Sequence, residues 1–169
     1  NTVLEGLQGN RNPFIDNPAF ATTIWGGPQA ENRFNSVSDC SELFISEYIE
    51  GTGNNKYLEI YNPTSSSIDL SSYDIVMYQN GSSSITYTLS LAGTIVSGGT
   101  FVIENTNEAL SVSADLQDNT VMTFNGDDTI ALRKSGTAID VIGQIGTDPG
   151  NQWSGATCTL GTEDATLRR

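Results

Sequence analysis

An antiparallel β-sandwich is the fold class that this sequence predicts, and three observations predict it. After Cys40, short segments with apolar residues at alternate positions recur at regular spacing, each long enough for a strand and too short for a helix. Turn signals separate most of them: Asn80-Gly81, Gly98-Gly99, Asn125-Gly126-Asp127-Asp128 and Ser135-Gly136. Hydrophobic residues make up 37% and charged residues only 16%, with Ser, Thr, Asn and Gly prominent in the remainder, a mixture that suits strands and tight turns better than helices. A chain of 169 residues buries one core comfortably, so one principal domain with an appendage is expected.

Taken in chain order, residues 1–26 stand apart. Residues 2–7 read as the last turns of a helix that stops at Gly9, and Asn17-Pro18 offers a cap and first-turn proline for a short helix running to Trp25. Gly26-Gly27-Pro28 ends it, and residues 27–40 lack periodicity and read as a linker. The sandwich is expected over residues 41–169. Strands are predicted over 43–49, 57–61, 73–79, 85–89, 100–104, 121–124, 129–134, 138–142 and 165–167. Between the second and third, Ile68-Asp69-Leu70 is expected to tuck back under the sheet, and residues 108–117 read either as loop or as one helical turn.

Charge and composition exclude several functions. Seven Lys and Arg against twenty Asp and Glu leave a net charge of −13, a field that repels phosphate backbones and anionic membranes. Direct nucleic-acid binding by the sandwich is therefore not expected. Histidine is absent, which removes Ser-His-Asp, Cys-His and His-metal chemistry from this chain. No apolar run is long enough for a membrane span. The opening at Asn1 reads as the start of a C-terminal piece of a longer polypeptide. Cys40 lies just before the first predicted strand and Cys158 before the last. They are either two unlinked thiols or a bridge closing nearly the whole domain, worth on the order of 4–5 kcal/mol; a bridge would imply an exported protein.

Two resemblances add to this reading. The segments Ile45-Ser46-Glu47-Tyr48-Ile49, Lys56-Tyr57-Leu58-Glu59-Ile60-Tyr61-Asn62-Pro63 and Ile68-Asp69-Leu70-Ser71-Ser72-Tyr73 resemble the start of the lamin tail domain. Asn125-Gly126-Asp127-Asp128-Thr129-Ile130-Ala131-Leu132-Arg133, Ala138-Ile139-Asp140-Val141-Ile142-Gly143 and Ala165-Thr166-Leu167-Arg168-Arg169 resemble its later hairpin, next strand and closing strand. The resemblance implies an immunoglobulin-like antiparallel β-sandwich with a short N-terminal helical or irregular extension. It also implies a non-catalytic accessory module of the secreted bacterial form, without the heptads of animal lamins. Gly6-Leu7-Gln8-Gly9-Asn10-Arg11-Asn12-Pro13-Phe14-Ile15-Asp16-Asn17-Pro18 is similar to the end of the endonuclease I family. That similarity implies an upstream nuclease domain, a magnesium-dependent phosphodiester endonuclease, with residues 1–26 as its remnant. Localisation outside the cell or at its surface follows from the same resemblances.

Three candidate sites arise from the residues themselves. Asp127 and Asp128, with Asp115, Asp118, Asp148 and Glu163 in other loops, form either a structural calcium site or turns whose carboxylates bond local backbone N–H groups. Tyr57, Tyr61 and Trp153 are the candidates for a carbohydrate-stacking platform, the alternative being aromatics that stabilise the sheet. The unknown partner is accordingly an extracellular protein or a glycan. Glu47 and Glu59 fall on neighbouring strands and face each other in only one of two registers; wet strand-face charges are the expectation, and a glycosidase pair is declined. No catalytic residue is assigned, and no cofactor is expected within the fragment.

Overall fold

The chain divides between Ser38 and Asp39, and the second unit runs to Arg169. The computed structural model describes residues 41–154 and 161–169. The predicted N-terminal extension, the linker, Cys40 and Cys158 lie outside the described residues.

Eleven strands build the described fold. In chain order they are β1 (Phe44–Glu50), β2 (Lys56–Tyr61), β3 (Ile68–Asp69), β4 (Tyr73–Tyr78), β5 (Tyr87–Ser90) and β6 (Thr94–Ile95). They continue with β7 (Thr100–Asn105), β8 (Leu116–Asp118), β9 (Thr129–Lys134), β10 (Thr137–Ile142) and β11 (Ala165–Arg168). One sheet has the order β11-β1-β2-β7-β8, the second β10-β9-β4-β5, and β3 pairs with β6 in a small ribbon. The predicted β-sandwich is the fold.

Alternation explains the core. Leu58 and Ile60 of β2, Ile75 and Met77 of β4, and Ile130 and Leu132 of β9 are fully buried between the sheets, while Glu59, Asp74 and Arg133 occupy opposite faces. Each such side chain contributes roughly 1.5–3 kcal/mol on burial. Leu70 is also fully buried at a 3-10 turn, Leu70–Ser72, whose start is capped by the Asp69 carboxylate on the Ser71 N–H at 2.8 Å. This is the tuck read from the sequence.

Two β-bulges change the phase of edge positions. In β1 the register shifts between Ile45 and Glu47, so Ile45 and Tyr48 both face inward and Glu47 and Ile49 turn outward. In β10 it shifts between Ala138 and Asp140. The Asp140 carboxylate then accepts the Ile45 N–H at 2.8 Å and two bonds from Arg169, at 2.7 and 2.8 Å. Because β1 belongs to one sheet and β10 to the other, Asp140 ties the two layers together along their open edge.

Two details of the expected sandwich are corrected. Residues 121–124 form a 3-10 turn, Val121–Thr123, and not a strand, because the Asp118 carboxylate accepts the N–H groups of Thr120 (2.9 Å) and Met122 (3.0 Å) and winds the chain inward. Val121, Met122 and Phe124 still bury completely, with Phe124 stacked on Tyr48 at 4.8 Å. The sandwich is not wholly antiparallel, since β8 runs parallel to β7. Residues 106–115 pass over the outer face between them, so β8 enters from the same end as β7. The short strands β3, β6 and β8 have no sequence signal long enough to show alternation.

Candidate functional site

A concavity of about 420 Å³ opens where β1 and β11 of one sheet face β10 of the other. Ile45, Tyr48, Val141, Ile142, Trp153 and Leu167 give it an apolar lining, and Arg169, held by Asp140, lies at its margin. Hydrogen bonds to Asp128 and Thr162 fix Trp153 there. Its indole N–H donates to the Asp128 carbonyl at 3.1 Å, and its backbone N–H to the Thr162 hydroxyl at 3.0 Å. Thr162 returns its own N–H to the Trp153 carbonyl at 3.1 Å and donates its hydroxyl to the Gly126 carbonyl. Gly143, at φ +92°, makes the indole position possible: a Cβ there would come within 2.7 Å of Trp153 Nε1 and of the Thr129 hydroxyl.

The aromatic candidates do not share a surface. Tyr57 and Tyr61 lie on the outer face of β2, away from Trp153, and Tyr57 is only 4% exposed. Leu110 and Val112 line the same small groove as Tyr57, whose hydroxyl donates to Glu108. Burial, and then Glu108, push the Tyr57 phenol well above its usual range. Tyr61 packs edge-on against Phe44 at 5.7 Å. Of the three, Trp153 alone lines the large groove.

Asp127 and Asp128 are also separated. Asp128 accepts the backbone N–H groups of Asn80 and Asn125, both at 3.1 Å; burial pushes its carboxyl up, while those bonds pull the other way. Asp127 instead borders a polar hollow of about 350 Å³ with Glu50, Asn151, Glu163 and Asp164. Its Oδ1 is buried without a hydrogen-bond partner. Among the described residues no three Asp, Glu, Cys or His side chains stand close enough together to hold a metal ion. Asp115, Asp118 and Asp148 each accept backbone N–H groups, from Val102, from Thr120 and Met122, and from Gly150. The bonds of Asp118 and Asp148 are local to their turns, whereas that of Asp115 reaches across to β7.

Glu47 and Glu59 do face each other across β1 and β2, and the β1 bulge sets that register. Each has its own partner: Arg168 Nε lies 2.8 Å from Glu47, and the Ser46 hydroxyl donates to Glu59 at 2.7 Å. The same holds for cations generally. All five Lys and Arg among the described residues are ion-paired: Lys56 with Glu50, Arg133 with Asp74, Lys134 with Glu42, Arg168 with Glu47 and Arg169 with Asp140.

Sequence reasoning missed four structural side chains: Asp140, the buried pair Glu50 and Lys56, and Asn62. A polar residue inside the apolar run Ala138–Ile142 was the available signal for Asp140. Asn62 is fully buried, with its amide donating to the carbonyls of Ser66 (2.8 Å), Ile95 (2.9 Å) and Val96 (3.1 Å).

The fold and these committed charges define the class, an immunoglobulin-like β-sandwich module. A family model described as Lamin Tail Domain matches residues 36–146, more than half of the sequence. The chain belongs to the lamin tail domain family. Comparison with curated proteins finds no match to it.

Proposed function

We propose that this chain is a non-catalytic accessory module and, more finely, the tail of a secreted bacterial nuclease whose upstream domain carries the magnesium chemistry. One observation carries the reading: every described cation is spent on an internal or edge ion pair, in a chain with no histidine and a net charge of −13. Such a surface supplies neither a general base of imidazole type nor a basic track for phosphates. Interaction is left as its work, with the groove beside Trp153 as the place where an extracellular protein or glycan would dock. The endonuclease I likeness of residues 6–18 supports the nuclease assignment.

Export is the part of this reading that a bridge between Cys40 and Cys158 would express. The antiparallel pairing of β1 with β11 supports it, since the first and last strands are neighbours. Alkylation of the unfolded protein without reductant, followed by intact mass measurement, should leave both cysteines unmodified. Two alkylated cysteines would remove the bridge and the argument for export.

A further inference from the structure

Charge is missing from one edge of the molecule. Between Asp74 and Glu104 the sequence contains no Asp, Glu, Lys or Arg, although the chain carries seven basic and twenty acidic residues. That run builds most of β4, all of β5 and β6, and most of β7.

The four outer strands of the two sheets are treated differently. β11, no longer than β5, meets solvent with the charge of Arg168 and the adjoining Arg169. β8 is three residues long and ends on Asp118. β10 is bulged and carries Asp140. Short length, charge and bulges are the devices that keep sheet edges from pairing with other chains. β5 carries no charge, no proline and no bulge, and among the described residues it has β4 on one side and no strand on the other.

Its backbone phase is fixed by β4. The Leu91 N–H donates to the Tyr73 carbonyl at 3.0 Å, and Leu89 lies opposite Ile75, so Leu89 and Leu91 direct their backbone groups toward β4. Thr88 and Ser90 therefore direct theirs outward. On the side-chain faces, Leu89 packs against the core while Tyr87, on the same strand face, remains 40% exposed, and Ile85, just ahead of the strand, is 39% exposed.

We propose that β5 is a self-association edge that pairs antiparallel with β5 of a second copy of this chain, about a two-fold axis at Leu89. In that register Thr88 of each copy lies opposite Ser90 of the other and exchanges both of its outward backbone bonds with it. Leu89 meets Leu89 and Tyr87 meets Leu91, so apolar side chains face apolar ones and hydroxyls face hydroxyls. The pattern is self-complementary at every position of the strand. Charge selects a second copy at this edge in particular: two molecules of net charge −13 can approach here without setting carboxylate against carboxylate. Asp148, which packs on Gly81 at the β4–β5 turn, is kept from its equivalent because the two turns point in opposite directions. Joining two four-stranded sheets in this way makes one of eight. The inference rests on strand geometry and charge, independently of the accessory reading.

A pairing of two such short strands is at the small end of interfaces, so the association is weak, and sedimentation equilibrium should be run up to about 1 mM protein. The expected result is a reversible monomer–dimer equilibrium, with exchange of the Thr88 and Ser90 amides slowing as concentration rises. Thr88→Pro removes the outward N–H at a position where the strand edge tolerates proline, and should weaken the dimer at least about tenfold. Ser90→Lys keeps the backbone group and adds an edge charge, with the same expected loss; slow exchange of Leu58 and Ile75 in both variants verifies that they fold. A protein that stays monomeric throughout, or a dimer indifferent to both substitutions, would overturn the proposal.

Discussion

Lys56→Ala is expected to destabilise the domain by roughly 3–5 kcal/mol, the cost of leaving a buried charge without its partner. Lys56 and Glu50 sit opposite each other at the end of the β1–β2 hairpin, each with only 7% of its side chain exposed. Among the described residues the lysine is the only cation there. The second carboxylate oxygen of Glu50 accepts the Asp164 N–H, and the adjoining hollow is bordered by Asp127, Glu163 and Asp164. Removing the ammonium therefore strands Glu50 among other carboxylates. Replacing both partners by apolar residues of similar volume, Glu50→Leu with Lys56→Met, should recover most of the loss, because the desolvation of both charges disappears together. Urea unfolding of the two variants measures both numbers. A single-variant loss below about 1 kcal/mol, the range of exposed pairs, would show that the pair is solvated in the native state.

The second large effect is at Asn62. Its amide donates to three loop carbonyls, and its Oδ1 accepts the N–H and the hydroxyl of Thr64, at 3.0 and 2.7 Å. One side chain thus joins the 62–66 turn to the 95–99 turn. Asn62→Ala leaves several of these groups unpaired and should cost roughly 2–4 kcal/mol, on the scale of about 1–3 kcal/mol for each buried polar group left unsatisfied. Asn62→Asp should be worse at neutral pH, since it aims a buried carboxylate at carbonyl oxygens. That carboxyl would have its folded-state pKa raised above the unfolded value, so its penalty is largest at high pH and shrinks as the pH falls through the raised value. Unfolding curves at pH 7 and at about pH 5 separate the cases: Asn62→Asp gains relative to Asn62→Ala on acidification. Identical pH dependence of the two variants would mean that Asn62 is not enclosed as described.

How much of this was legible depends on range along the chain. β9 was read with its observed bounds, because Asn125–Asp128 and Ser135-Gly136 bracket an uninterrupted run, and Ser135 and Gly136 take the positive φ values, 49° and 82°, of a two-residue hairpin turn. The segment 121–124 failed because three apolar residues in four fit a buried strand and a buried turn equally well, and Asp118, outside the window, decides between them. The bulge in β1 was visible only as spacing: Ile45 and Tyr48, both inward, are three apart and cannot share a face of a regular strand. Its consequence, the Glu47–Glu59 register, could be posed from the sequence but not settled. Partners such as Asp140 with Ile45, or Lys134 with Glu42, lie more than ninety positions apart, and no local pattern announces them. The candidate sites were legible as residue types alone. Asp127 and Asp128 are adjacent, yet successive positions at a turn direct one carboxylate to the N–H groups of Asn125 and the distant Asn80, and the other to a different hollow.

The described cations of this sandwich are held in ion pairs, and in the proposed function phosphodiester chemistry belongs to an upstream domain. Incubating supercoiled plasmid with the purified protein and magnesium, and following nicking on a gel, addresses it directly. The plasmid is expected to stay supercoiled. Nicking that co-purifies with the protein and is abolished by chelating the magnesium would contradict it.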